Sequence, residues 1–296
     1  MKTRVMAVIF LVQVFGGSGL WAVTRPEIDV PCVSGSFAID GSAAEWTGVK
    51  SKGEGISFYK GDGKSGTSTK LGTTCLGTIS NAADCRMDLW MAHDGTYLYI
   101  LAEVLDDSYQ PFGTANTNPA YLEDTLHLYV DSTNAKKANI NGSEPIYYQT
   151  GYEQFGISTD GNIYGESTDF TTGTAKHAAP QGANPDGTYW KAKCTVQQLG
   201  ATSYKYTFEE RITLAGRTGR NMSPLLPGTS YGFNAEFCDS DGTTALQGWI
   251  FWSSNGFTDC YNSENLWGTM NLAVVPEPLT CLLLAAGGLF AIRKRK

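Results

Sequence analysis

Two acidic runs are the residues of this 296-residue sequence whose types and spacing most plainly suggest chemistry. Asp106-Asp107 and Asp239-Ser240-Asp241-Gly242 each place carboxylates close together, and calcium is held by clusters of carboxylate and carbonyl oxygens. Neither run reproduces a full EF-hand loop. The expectation is structural calcium held by Asp106, Asp107, Asp239 and Asp241. Carboxylates in pairs also cleave glycosidic bonds, provided that both converge on one linkage. Glu123-Asp124 and Glu209-Glu210 are the candidates, but adjacent residues of a strand point to opposite faces, so neither pair converges. Gly61-Asp62-Gly63-Lys64-Ser65 resembles the end of a phosphate-binding loop, with Phe58 where its first glycine belongs. The histidines His93, His127 and His177 lack metal-ligand spacing, and no Cys-x-x-Cys occurs. No catalytic residues are expected.

The two ends of the chain differ from what lies between. Met1-Lys2-Thr3-Arg4, an apolar run from Val5 to Phe15 and a small-residue exit through Gly19 to Ala22 have the three parts of a secretory signal peptide. At the other end, Pro276-Glu277-Pro278 precedes an apolar stretch, Leu279–Ile292, and the basic run Arg293-Lys294-Arg295-Lys296. As a helix that stretch would reach about 21 Å, short of the roughly 30 Å hydrocarbon core, with its cations on the cytoplasmic side. This order of motif, apolar helix and basic end resembles the PEP-CTERM sorting signal of Gram-negative bacteria. The resemblance implies recognition by an exosortase, at least transient membrane contact through the tail, and delivery to the cell surface, outer envelope or extracellular matrix.

The net charge of the whole chain is −7. Residues 23–278 hold all 29 acidic residues and only 16 of the 22 basic ones, so this part lies near −13. Such a balance excludes nucleic acid as the main partner, because phosphate contacts need a basic surface. Of seven cysteines, Cys281 belongs to the tail, leaving an even six. In an exported chain an even count predicts disulfides. Cys75–Cys85 as a loop staple and Cys238–Cys260 across strands are the expected pairs.

The elements that must position these residues are strands. Tyr97–Val104 and Thr125–Asp131 alternate with a period of two, and Met87–Met91, Tyr189–Val196, Tyr204–Ile212, Tyr231–Cys238, Trp249–Trp252 and Trp267–Leu272 add further runs. Turns such as Asp94-Gly95, Asp160-Gly161 and Asp186-Gly187 punctuate them. No window shows a helical apolar period. An all-β, antiparallel sandwich of jelly-roll type follows. The expected division is a signal peptide (1–22), one sandwich domain (23–274) with a long polar insertion at about 50–85, and the sorting signal (275–296).

Phe37-Ala38-Ile39-Asp40-Gly41 with Glu45-Trp46, Trp90–Tyr99, Ala102–Asp107, Glu123–Asp131, Gly232–Glu236, Trp252-Ser253 and Trp267–Leu272 occur in the order of the carbohydrate-binding modules of family 9, which this stretch resembles. The resemblance implies a jelly-roll-like sandwich that binds polysaccharide or oligosaccharide non-covalently, often with structural calcium. It puts the two rings of the family's sugar clamp at Tyr121 and Tyr261, with Phe257 as an alternative for the second. The family's strand glutamate falls at His127 and its arginine near Gly156, which has no side chain. Alternation turns Leu126, Leu128 and Val130 to the core and His127 to the other face, where a neutral imidazole offers one donor and one acceptor. Trp46 and Trp90 read as core packing, while Trp252 suits either the core or the sugar site. The two departures leave open a structural or adhesive matrix protein that uses the same sandwich without specific sugar binding.

Overall fold

The computed structural model describes residues 23–67, 70–110, 123–136, 151–161, 163–164, 167–169, 174–176, 189–216, 222–241, 248–255 and 263–276. In chain order the strands are β1 (Glu27–Val30), β2 (Ile56–Tyr59), β3 (Gly72–Gly77), β4 (Cys85–His93), β5 (Tyr97–Asp106), β6 (Thr125–Asp131), β7 (Tyr152–Ser158), β8 (Ile163–Tyr164), β9 (Ser167–Asp169), β10 (Thr174–Lys176), β11 (Trp190–Gly200), β12 (Ser203–Thr213), β13 (Ser230–Asp239), β14 (Gly248–Ser254) and β15 (Gly268–Leu272). Helix among the described residues is limited to one α-helical turn at Thr47–Lys50 and one 3-10 turn at Glu264–Leu266.

Two sheets form the sandwich. One has five strands in the order β11-β12-β5-β4-β2; the other has eight, along β1-β15-β13-β6-β7-β8, with β14 beside β13 and β3 beside β14. β9 and β10 pair separately. Neighbours are antiparallel, except that β1 runs parallel to β15. β13 accepts two partners along one edge, since Ser230–Phe233 pair with β15 and Glu236–Asp239 with β14, while β6 lies along the other edge.

Period-two alternation explains where the core sits. Leu126, Leu128 and Val130 of β6 and Phe233, Ala235 and Phe237 of β13 face Ile100, Ala102, Val104, Tyr206 and Phe208 of the opposing sheet, all fully buried. The rings of Phe237 and Phe208 meet across the layers at 6.2 Å, and those of Phe237 and Tyr206 at 6.0 Å. Each such side chain contributes about 1.5–3 kcal/mol on leaving water.

The five-stranded sheet is covered on its outer face as well. Ile39, Trp46 and Val49 pack on Ala92, Tyr99 and Leu101. One carboxylate ties this cover down. Glu209 Oε2 accepts from the backbone N–H groups of Asp40 (3.0 Å), Gly41 (2.7 Å) and Ser42 (3.1 Å), and its Oε1 accepts from Trp46 Nε1 at 2.8 Å. Gly41 is required at this turn: its φ is +82°, and a Cβ there would stand 2.5 Å from Thr195 Cγ2. The Ile39-Asp40-Gly41 and Trp46 motif is thus a clasp around a buried acid.

The polar segment at about 50–85 supplies β2 to one edge of the five-stranded sheet and β3 to the partner sheet. Both strands are short, and Gly, Ser and Lys crowd around them, so their alternation is drowned out. The cysteines at 32, 75, 85, 194 and 238 are free thiols. Cys75 lies in the eight-stranded and Cys85 in the five-stranded sheet. Cys260, the other expected partner of Cys238, lies outside the described residues.

No helix among the described residues is long and apolar enough to cross a membrane. The first 22 residues, Glu277, Pro278 and the stretch Leu279–Ile292 lie outside them, and Pro276 ends the described chain.

Candidate functional site

The face of the eight-stranded sheet turned away from the core collects the side chains left over by alternation. On β6 these are Thr125, His127 and Tyr129, and on β13 Asn234, Glu236 and Cys238. Register sets them side by side, with Cys238 opposite Thr125, Glu236 opposite His127 and Asn234 opposite Tyr129. On its other flank His127 faces Gly156 of β7, where no side chain stands. Tyr129, Tyr152 and Trp267 form a ring cluster of their own, with centroid spacings of 5.5 Å from each tyrosine to the tryptophan.

Polar groups on this face pair with one another. The Tyr129 hydroxyl donates to Glu236 Oε2, and the Cys238 thiol lies 3.4 Å from Glu236 Oε1. Asn234 donates through Nδ2 to the Ser253 carbonyl (3.1 Å) and accepts from the Ser253 N–H (3.0 Å). Tyr152 O–H donates to Gln154 at 3.0 Å. Burial alone pushes the His127 imidazole down to about 4, so the ring is neutral at physiological pH. The rings of Tyr129, Tyr152 and Trp267 are themselves fully buried, so they support this face from within rather than present a stacking surface.

A second polar group lies where strand ends of the two sheets meet. Asp106 closes β5 and Asp239 closes β13, while Asp84 and Asp124 stand immediately before or close to the starts of β4 and β6. The carboxylate oxygens of Asp106, Asp124 and Asp239 lie within 4.8 Å of one another, as do those of Asp84, Asp239 and Asp241, and those of Asp106, Asp107 and Asp241. Asp124 is anchored by the N–H groups of Gln110 (2.6 Å) and Ser240 (3.1 Å) and by the Tyr206 hydroxyl (3.1 Å). Both oxygens of Asp239 and one each of Asp84 and Asp106 are buried without a hydrogen-bond partner. Desolvation and mutual repulsion push Asp106 and Asp239 up to about 9 and Asp241 to about 6. Buried carboxylates with orphaned oxygens in an all-oxygen donor set fit a hard cation.

All four aspartates expected to hold calcium, Asp106, Asp107, Asp239 and Asp241, therefore converge, and Asp84 and Asp124 join them. The latter two were missed because their role depends on which strand ends meet. Glu236 and Cys238 were missed for a related reason. Alternation on β13 already sets them on one face, but His127 comes to them only through pairing with β6. Tyr121, Tyr261 and Phe257 lie outside the described residues. For Trp252, left between core and sugar site, the ring belongs to the inter-sheet core, 5.7 Å from that of Phe233, and does not line the outer face. Gly268 lies under it, where a Cβ would come within 2.6 Å of the indole. Glu209 and Glu210 point to opposite faces of β12, Glu209 to the Trp46 clasp and Glu210 to Trp190 Nε1 at 2.7 Å. No single bond could lie between them.

A two-sheet antiparallel sandwich with ring-and-polar groups on one sheet face and a carboxylate cluster at its end belongs to the class of β-sandwich binding domains. The family model described as "Carbohydrate family 9 binding domain-like" matches residues 64–274, and the chain belongs to this family. It is similar in fold to a family 9 carbohydrate-binding module from Caldicellulosiruptor kristjanssonii, solved in complex with glucose and with cellotriose. The glucose complex aligns with a TM-score of 0.54 at 18% identity, over 86% of this chain and 98% of that one. The cellotriose complex aligns at 0.53 and 17%, over 85% and 96%. No curated protein matches the sequence.

Proposed function

We propose that this protein binds carbohydrate non-covalently through its family 9 domain, as an exported protein sorted to the cell surface or matrix. Membership of a family of binding domains carries the reading, and a similar module takes glucose and cellotriose. Tyr121 and Tyr261 are the proposed stacking rings, with His127 supplying hydrogen bonds from the sheet face. No catalytic role is assigned, in keeping with a family defined by binding. Calcium is the proposed structural ion. Asp84, Asp106, Asp124, Asp239 and Asp241 would hold it and Asp107 would complete the shell, and the ion would neutralise their repulsion and tie the ends of the two sheets together.

Isothermal titration of the full-length protein with glucose, cellotriose and larger glucans, with and without calcium, tests the reading. Saturable binding weakened by joint Tyr121→Ala and Tyr261→Ala substitution is expected. Absence of binding across a glycan array, or a double variant that binds unchanged, would sink the sugar site and favour the matrix role. For sorting, the expected surface form has lost the residues beyond the Pro276-Glu277-Pro278 motif, read by mass spectrometry. An intact C-terminus on the surface protein would overturn cleavage.

A further inference from the structure

Glu236 and Cys238 are alternate residues of β13 and so share one face, and His127 stands directly opposite Glu236 on β6. All three are buried, with His127 retaining 6% exposure. An imidazole nitrogen, a carboxylate oxygen and a thiol sulfur thus lie within 4.8 Å of one another. We propose that His127, Glu236 and Cys238 form a binding site for a borderline-soft divalent cation of the zinc class, with a fourth position left for water or a ligand oxygen.

The donor set discriminates first. Calcium and magnesium take oxygen ligands, whereas a mixed nitrogen, oxygen and sulfur set selects zinc and its chemical neighbours. The two polar groups of this domain therefore sort ions by chemistry, hard at the strand ends and softer on the sheet face. Geometry agrees. Zinc bonds of about 2.3 Å to sulfur and about 2.0 Å to oxygen hold the two donors roughly 3.5 Å apart across a tetrahedral angle. Cys238 Sγ and Glu236 Oε1 stand 3.4 Å apart. The remaining oxygen of Glu236 accepts from the Tyr129 hydroxyl, the kind of outer hydrogen bond that orients a ligating carboxylate. Cys238 is a free thiol. On binding, the cation replaces the thiol proton, which leaves to solvent, and its charge holds the thiolate. Three protein donors are the number that leaves a zinc site open at one position.

Titration of the reduced, metal-free full-length protein with Co²⁺ tests this directly, because a cobalt–thiolate bond adds a charge-transfer band in the near ultraviolet. One Co²⁺ per chain is expected, bleached by Zn²⁺ and untouched by Ca²⁺. Cys238→Ser should abolish the band. Tyr129→Phe should keep it while weakening affinity about 10–100-fold, and His127→Ala should weaken affinity further. Circular dichroism confirms that each variant is folded. A folded wild-type protein without the band, a band that survives Cys238→Ser, or a Cys238–Cys260 disulfide in the exported protein would overturn the site. Glycan affinity is measured separately, so stoichiometric cobalt without sugar binding would refute the sugar reading and leave this one standing.

Discussion

Two regions of this sandwich bury polar side chains outside the apolar core, and they do so in opposite ways. On the outer sheet face, Tyr129 donates to Glu236, Tyr152 donates to Gln154, and Asn234 and Ser253 bond to each other. At the strand ends, aspartates face aspartates, and Asp239 has no hydrogen-bond partner for either oxygen. The first arrangement is close to self-sufficient, since buried polar groups are stable when paired. The second is stable only if its charges are removed, by protons or by a cation. Burial alone therefore does not tell a polar region that is stable without an ion from one that needs protons or a cation; the sign and pairing of the groups do.

A pH series in chelator should move stability the most. Asp106 and Asp239 have folded values near 9, well above the roughly 3.9 of an unfolded aspartate, so the native state holds more protons between these limits. Stability then falls as pH rises through that window. A single such group changes stability by about 1.4 kcal/mol per pH unit, so Tm should drop by about 10 °C or more between pH 5 and pH 8. A flat profile in calorimetry would show that the cluster is not repulsive.

Calcium should reverse that trend. At about one hundred times its Kd it adds about 2.7 kcal/mol, or about 5–10 °C in Tm, and more at pH 8 than at pH 5, because the ion must displace protons. Asp239→Asn should remove this gain while raising stability in chelator, since it deletes one of the repelling charges.

The outer face should not respond to calcium, and its response to pH should run the other way. Tyr129→Phe strips a donor from buried Glu236 and is expected to cost about 1–3 kcal/mol in denaturant titrations, equally with and without calcium. Smallest is His127→Gln. The folded value of His127 lies near 4, below the roughly 6.5 of an unfolded histidine, so its contribution is present above the latter and lost as pH falls through the former. The variant should therefore gain on wild type by about 2 kcal/mol between pH 7 and pH 5, with no difference in slope above pH 7. Opposite slopes from the two regions would establish that they are distinct; parallel slopes would refute it.

Much of the fold was legible because a half-buried strand states its face in its own sequence. Thr125–Asp131 carries Leu126, Leu128 and Val130 on one side and His127 and Tyr129 on the other, and the structure keeps that division. Trp249-Ile250-Phe251-Trp252 has no alternation, so nothing local told which ring turns inward, and Trp252 proved to be core. β2 and β3 were hidden by the Gly, Ser and Lys around them. In the candidate sites, acidic composition pointed to Asp106, Asp107, Asp239 and Asp241, and adjacency in sequence was the available signal. Asp84 has no acidic neighbour in sequence, and Asp124 stood out only as half of the Glu123-Asp124 pair, not as a cation ligand.

By itself the sequence determined the β class, the inward face of the regular strands, the motif order of a family 9 domain and the excess of carboxylates over cations. Each of these is local or additive, set by side-chain period or by counting. Tertiary structure alone decided which residues meet: that the ends of β5 and β13 come to the starts of β4 and β6 and gather four aspartates around Asp239, and that the register of β6 on β13 sets His127 against Glu236 and beside Cys238. Such contacts join residues distant in the chain through backbone pairing. A shift of one residue in that pairing would turn every side chain of β6 to the opposite face, and period alone does not specify the pairing.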